Sequence, residues 1–167
     1  FAWTLKAMTD SLGAADFVAG TISQAAGNLM ALLPAIIFLI GAFLAFATGT
    51  SWGTFGILIP IVLPIFKVGD PLLMIGISAC LAGAVCGDHC SPISDTTIMA
   101  SAGAQCEHVT HVTTQLPYVI TVAAVSFVTY LIAGFVRNAL IMLVIGFALM
   151  VATLYVIKQI AGNKQTA

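Results

Sequence analysis

Two polar interruptions hold the residues of this sequence that are able to do chemistry. The first is Thr48-Gly49-Thr50-Ser51-Trp52-Gly53-Thr54, and the second is Gly87-Asp88-His89-Cys90-Ser91-Pro92-Ile93-Ser94-Asp95-Thr96-Thr97. Both are rich in Gly, Ser and Thr, and the second adds two aspartates and a histidine. Carboxylate, hydroxyl and carbonyl oxygens are the ligands that small hard cations prefer in proteins. Together the two interruptions therefore indicate a cation site.

The two aspartates are the predicted cation and proton ligands. Because Pro92 breaks the chain between Asp88 and Asp95, we expect them to converge from opposite sides of the break. A helix ending near Cys86 would place its unpaired carbonyls and negative dipole end just before Asp88. Desolvation favours the neutral form of any buried carboxyl group, so that a proton and a metal ion compete for it. Histidine titrates near neutral pH, which makes His89 a second candidate proton carrier.

Neutral oxygens near the two acids complete the predicted ion or substrate site. From the first interruption these are Thr48, Gly49, Thr50, Ser51 and Thr54, and from the second they are Ser91, Ser94, Thr96 and Thr97. Asp95 follows a serine and precedes two threonines, so a role as a helix cap alone stays open.

The composition restricts the kind of protein that positions these residues. Of the 167 residues, 60% are hydrophobic and 7% are charged, and the net charge is −1. Soluble domains carry about 25% charged residues. A soluble enzyme, a nucleic-acid-binding protein and a disordered chain are therefore excluded. Because the apolar runs are long and continuous, we predict an all-α, polytopic integral membrane protein.

The spacing of charged residues predicts the elements. About 20 helical residues cross the hydrocarbon core of a bilayer, and the predicted crossings are 29–47, 71–86, 116–136 and 139–157. Residues 55–66 are too short to cross and predict a half-helix, and Asp70 before Pro71 predicts a helix N-cap. Three regions follow: an amphipathic or interfacial segment (1–28), a transmembrane transporter half (29–157) and a polar tail (158–167). Short, interrupted apolar segments of this kind are typical of transporter binding sites.

The two interruptions, in this order and spacing, resemble those of the NhaC-type Na⁺/H⁺ antiporter family, within a wider ion-transporter superfamily. The resemblance corresponds to the C-terminal part of a longer protein. It implies one inverted-repeat half, with a re-entrant hairpin at the first interruption and a broken helix at the second. It further implies Na⁺/H⁺ exchange in the inner (cytoplasmic) membrane, an N-terminal half of the same protein as partner, and a possible homodimer. Members that exchange organic acids leave a Na⁺-coupled malate/lactate-type antiporter as the alternative.

Cysteines and histidines leave a different class of function open. A zinc site in a membrane metalloenzyme or non-transporting subunit would draw on Cys86, His89, Cys90, Cys106, His108 and His111. Their spacing lacks the paired C-x-x-C signature, and Glu107 with His108 and His111 predicts a solvated loop. The sequence also has no G-x-S-x-G elbow of a serine hydrolase. We therefore expect a transporter with free thiols, no catalytic residues and no cofactor.

Overall fold

The structure is a computed structural model, and it describes residues 2–13, 17, 20, 28–66 and 68–165. The helices in these ranges are α1 (Ala2–Ser11), α2 (Asn28–Thr48), α3 (Ser51–Val62), α4 (Pro71–Cys90), α5 (Asp95–Gly103), α6 (His108–Val136) and α7 (Ala139–Gln165). No strand occurs among the described residues, and the all-α prediction is confirmed. Most of the predicted interfacial segment beyond α1 lies outside the described residues.

Four of the described helices are long and apolar enough to cross a membrane. They are Met30–Thr48, Pro71–Cys90, His108–Val136 and Ala139–Ile160. Each corresponds to one of the predicted crossings, which confirms a polytopic chain. Helix α3 is shorter, as the sequence predicts, and it contains Pro60 near its end.

Helix α3 covers Ser51–Val62 where residues 55–66 were predicted, and three further helix ends differ from the predicted ones. Helix α4 ends at Cys90 and not near Cys86, so Asp88 lies inside its last turn. No residue before Pro92 is incompatible with the helix, and a polar residue alone does not end one. Helix α6 begins at His108, so the solvated loop predicted there is wrong. Helix α7 continues to Gln165, which makes most of the predicted polar tail helical.

The start of α4 agrees with its prediction. The Asp70 carboxylate accepts a hydrogen bond from the Leu72 backbone N–H at 2.8 Å, and Pro71 occupies the first turn. The Pro71 nitrogen has no hydrogen to leave unpaired at this position. This end of α4 therefore forms from local sequence alone.

Small residues bring α4 into backbone contact with α2. A Cβ atom added at Gly83 would overlap the Phe38 carbonyl oxygen, and one at Gly87 would overlap the Ala42 carbonyl oxygen. Glycines four residues apart allow two membrane helices to approach this closely. The contact presses the last turn of α4, which carries Asp88, against α2.

Helix α6 packs against both of these helices. The Tyr130 hydroxyl lies 2.9 Å from Ser78 Oγ on α4, and the Tyr130 ring stacks on Phe38 of α2 with centroids 5.5 Å apart. Farther along α6, a Cβ at Gly134 would overlap the Ala31 carbonyl oxygen. The three helices thus form the scaffold that fixes the end of α4.

Candidate functional site

A buried carboxyl group in the last turn of α4 is the centre of the candidate site. Asp88 is 2% exposed. Ser94 Oγ donates a hydrogen bond to its Oδ1 at 2.7 Å, and Thr96 Oγ1 donates to its Oδ2 at 3.0 Å. The two hydroxyl oxygens also lie 2.7 Å from each other. We call these three residues the carboxyl–hydroxyl cluster.

Ser94 serves this cluster instead of its own helix. It occupies the N-cap position of α5, yet its side chain makes no capping hydrogen bond. A serine cap contributes about 1 kcal/mol to helix stability. The local sequence would favour that cap, but the hydroxyl is directed to Asp88. The arrangement is therefore held by tertiary packing.

No basic side chain described in the structure compensates the charge of Asp88. Neither Arg137 nor Lys158, the two whose side chains are described, is buried or hydrogen-bonded to it. A buried carboxylate without a counter-charge costs several kcal/mol. Among the described side chains, the hydrogen-bond partners of the Asp88 carboxyl group are thus neutral hydroxyls.

The two interruptions meet through their backbones. The Ser91 hydroxyl is fully buried and donates to the Phe46 carbonyl oxygen near the end of α2 at 2.8 Å. Gly49 has a φ of +68°, and a Cβ added there would lie 2.8 Å from the Ile93 carbonyl oxygen. Only glycine combines this conformation with such a close approach. At these positions the backbones of the two interruptions are in direct contact.

The hydroxyl groups of the first interruption bond to groups close to them along the chain. Thr54 is buried, and its hydroxyl donates to the Thr50 carbonyl oxygen at 2.8 Å. The Thr50 hydroxyl caps α3 by accepting from the Gly53 N–H, while Thr48 donates to the Leu44 carbonyl oxygen. Ser51 is half-buried at the start of α3. Within the described part of the chain, no hydrogen bond joins these side chains to Asp88.

Asp95 takes no part in the side-chain hydrogen bonds of the cluster. It is the first residue of α5 and is exposed, and its Oδ1 accepts the Thr96 backbone N–H at 2.8 Å. His89 is exposed as well, and its Nδ1 lies 2.9 Å from the Val85 carbonyl oxygen. Of the two predicted acidic ligands, the structure buries Asp88 alone.

The structure brings three residues of α6 near the site: His108 and His111, which the sequence placed in a loop, and Gln115, which it did not single out. His108 Nε2 lies 2.6 Å from the Pro92 carbonyl oxygen, and its Nδ1 lies 3.1 Å from Ser101 Oγ. His111 and Gln115 line a cavity beside the cluster. The three occur at spacings of three and four residues, which place them along one face of a helix. This spacing is the sequence signal that predicts a shared helix face, and it applies only if the segment is helical and not the predicted loop.

The cysteines and histidines do not assemble into a metal centre in the part of the chain that the structure describes. No three His, Cys, Asp or Glu side chains are grouped there so as to hold a metal ion. Cys80 is buried, whereas Cys106 is exposed, and all four cysteines are free. The zinc alternative thus gains no ligand set from these residues.

Comparison with known proteins gives the family of this chain. The model of the Na⁺/H⁺ antiporter family matches residues 1–135. The chain belongs to this family. With four candidate spans, this antiporter-family chain is a multi-pass membrane protein.

Several curated proteins are similar to this antiporter-family chain. An uncharacterized protein of Haemophilus influenzae is 47% identical over 159 residues, which are 94% of this chain and 29% of that protein. An uncharacterized Na⁺/H⁺ antiporter of the same organism is 37% identical over 59% of this chain and 23% of its own length. The malate-2H⁺/Na⁺-lactate antiporter of Bacillus subtilis is 34% identical over 58% of this chain and 21% of its own length. The chain thus spans less than a third of these relatives, and no solved structure matches it.

Proposed function

We propose that the antiporter to which this chain belongs exchanges Na⁺ for H⁺ at the carboxyl–hydroxyl cluster, by alternating access. One observation carries the proposal: Asp88 is buried against two hydroxyl groups and has no described cationic partner. Such a carboxyl group binds a proton or a metal cation, and one excludes the other. Mutually exclusive binding at a single site is sufficient to couple the two fluxes in opposite directions.

Counting protons supports a site for one transported H⁺. The cluster contains three oxygen–oxygen contacts, of 2.7, 2.7 and 3.0 Å. Each contact needs a proton, but a hydroxyl group brings only one, so Ser94 and Thr96 supply two. With a proton on Asp88, the carboxyl group donates to one hydroxyl, that hydroxyl donates to the other, and the second donates back to the carboxyl group, which closes a ring of three hydrogen bonds. In this state the cluster is neutral and every contact is satisfied.

A sodium ion replaces that third proton in the proposed exchange. Hard cations take carboxylate, hydroxyl and carbonyl oxygens together, and the cluster provides the first two types. The last turn of α4 adds the negative end of its dipole, which favours a cation near Asp88. We propose that carbonyl oxygens around Gly49 and Thr50 complete the coordination. Asp95, at the exposed start of α5, is proposed to attract cations towards the site.

The remaining assignments follow from this proposal. The exchanger is a transporter and not an enzyme, and it works in the cytoplasmic membrane. Its other inverted-repeat half is proposed to cover the faces that this chain leaves exposed, and two copies are proposed to form a homodimer. The malate/lactate relative is too distant for organic-acid exchange to be favoured.

The test is Na⁺-driven proton flux in vesicles that contain the full-length antiporter. We expect Asp88→Asn to abolish the flux, because an amide neither releases a proton nor carries the charge that binds Na⁺. Asp70→Asn is the matched control, since asparagine caps a helix as well as aspartate does. Full flux in Asp88→Asn would overturn the proposal, and counterflow of labelled malate or lactate would replace it with organic-acid exchange.

A further inference from the structure

A second polar site adjoins the carboxyl–hydroxyl cluster. It is a cavity of about 190 Å³ between the end of α4, α5 and α6, lined by His89, Thr96, Thr97, Ala100, His111 and Gln115. A water molecule occupies about 30 Å³ in the liquid, so the cavity has room for several. It contains polar groups from three helices, which makes it suitable for a hydrated ligand. We call it the outer cavity.

Thr96 separates the outer cavity from Asp88. It lines the cavity, and its hydroxyl donates to Asp88 Oδ2 at 3.0 Å. Thr96 therefore contacts both the cavity and the carboxyl group. A ligand held in the outer cavity lies one residue away from the exchange site.

Gln115 provides an unpartnered acceptor in this cavity. Its Oε1 is buried and has no hydrogen-bond partner, and it is the sole such side-chain atom among the described residues. A buried acceptor left unpaired costs about 1–3 kcal/mol. Such a group is retained in a native structure where a ligand or water satisfies it. The amide oxygen is thus available to a cation or to a water molecule bound to one.

His89 also lines the outer cavity. A carbonyl oxygen only accepts, so the Nδ1 of His89 must donate to Val85, at 2.9 Å. In the neutral ring the lone pair is then on Nε2. The outer cavity thus offers neutral acceptors and no carboxylate of its own. This chemistry suits a cation that still keeps most of its water.

We propose that the outer cavity holds a partly hydrated Na⁺ before it reaches Asp88, and that Gln115 Oε1 replaces one of its waters. Gln115 is then a further cation-binding residue of the exchanger. This inference rests on the proposed function, because it needs a cation that moves to the cluster. It concerns Gln115 instead of Asp88, and it predicts a change in the apparent KM for Na⁺ instead of a loss of flux.

The test is the Na⁺ dependence of proton flux in the full-length antiporter with Gln115→Met. Methionine keeps the volume of glutamine and removes the amide oxygen. We expect the apparent KM for Na⁺ to rise about tenfold, as for the loss of one interaction with a charged group, while the maximal flux stays within twofold. Gln115→Glu keeps an oxygen there, and its KM should equal or fall below that of the parent. Gln159→Met is the matched control, because that amide lies on α7 and donates to the Tyr155 hydroxyl.

A second pair of variants tests the cavity itself. Ala100→Leu places a larger side chain in the outer cavity, and we expect it to raise the same KM. Ala102→Leu makes the same change at an exposed position of α5 that does not line the cavity. This pair decides the question if Gln115→Met loses its flux even at saturating Na⁺.

The outcomes separate the two proposals. A parent antiporter with no Na⁺-driven flux overturns the proposed function and this inference with it. A second outcome is that the parent transports and Asp88→Asn does not, while Gln115→Met and Ala100→Leu both keep the parental KM. In that case the proposed function stands and only the outer site is wrong. The same rise in KM in Gln159→Met would overturn it as well.

Discussion

Removing the Thr96 hydroxyl should weaken Na⁺ binding without unfolding α5. Thr96→Val keeps the β-branched shape and deletes only the oxygen that donates to Asp88 Oδ2 at 3.0 Å. A hydrogen bond to a charged group contributes about 1.5–3 kcal/mol. At about 1.4 kcal/mol per factor of ten, the apparent KM for Na⁺ should rise roughly 10- to 100-fold. The assay is Na⁺-dependent proton flux at fixed pH, with the protein content of the vesicles quantified.

Two further variants make this prediction specific. Thr96→Ser keeps the hydroxyl and should retain most of the affinity. Thr113→Val removes a hydroxyl that bonds only to backbone carbonyls of α6, so its KM should match the parent. Ser94→Ala combined with Thr96→Val should cost less than the sum of the two single changes, because both hydroxyls act on one carboxyl group. An unchanged KM in Thr96→Val would refute the role that we give to the cluster.

The remaining predictions concern competition and packing. Because proton and cation exclude each other, acidification should raise the apparent KM for Na⁺ by up to tenfold per pH unit where the proton occupies the site. The flux at saturating Na⁺ should stay unchanged. An uncompetitive pattern in flux titrations would contradict a shared site. Gly87→Ala should destabilise the protein by about 1–3 kcal/mol, because its Cβ would overlap the Ala42 carbonyl oxygen. Gly103→Ala is the control, because Gly103 has open space around it. The assay is thermal unfolding in detergent. Equal melting temperatures for Gly87→Ala and Gly103→Ala would refute the close packing of α2 and α4.

The membrane spans were predictable because the bilayer sets their length. A charge-free run of about 20 residues has few alternatives to a crossing helix, and all four runs form one. The predicted end of α4 is wrong because a charged residue in the membrane does not by itself end a helix. The helix continues through Asp88 to Cys90. Burial and hydroxyl partners satisfy the carboxyl group while its backbone stays helical.

The sequence alone could not identify which residues form the site. Asp88 and Asp95 are equal in chemistry, and their spacing across a proline-containing turn does not determine which one is buried. The structure buries the residue on α4 and leaves the one on α5 exposed. Gln115 lies farther along the chain and comes near the cluster only through the packing of α6 on α5. Contacts of that kind depend on tertiary structure, and a local pattern contains no measure of them.

The position of Ser94 shows how local preference and function separate at this site. Its sequence context favours a helix cap, which is the assignment that local rules give to a serine before Asp-Thr-Thr. Its hydroxyl bonds to Asp88 instead, and α5 starts without a side-chain cap. Natural proteins depart from local rules chiefly at functional sites. The two hydroxyls already satisfy the Asp88 carboxylate, so the third contact, between the hydroxyls themselves, adds support to the proposed exchange of a proton at this site.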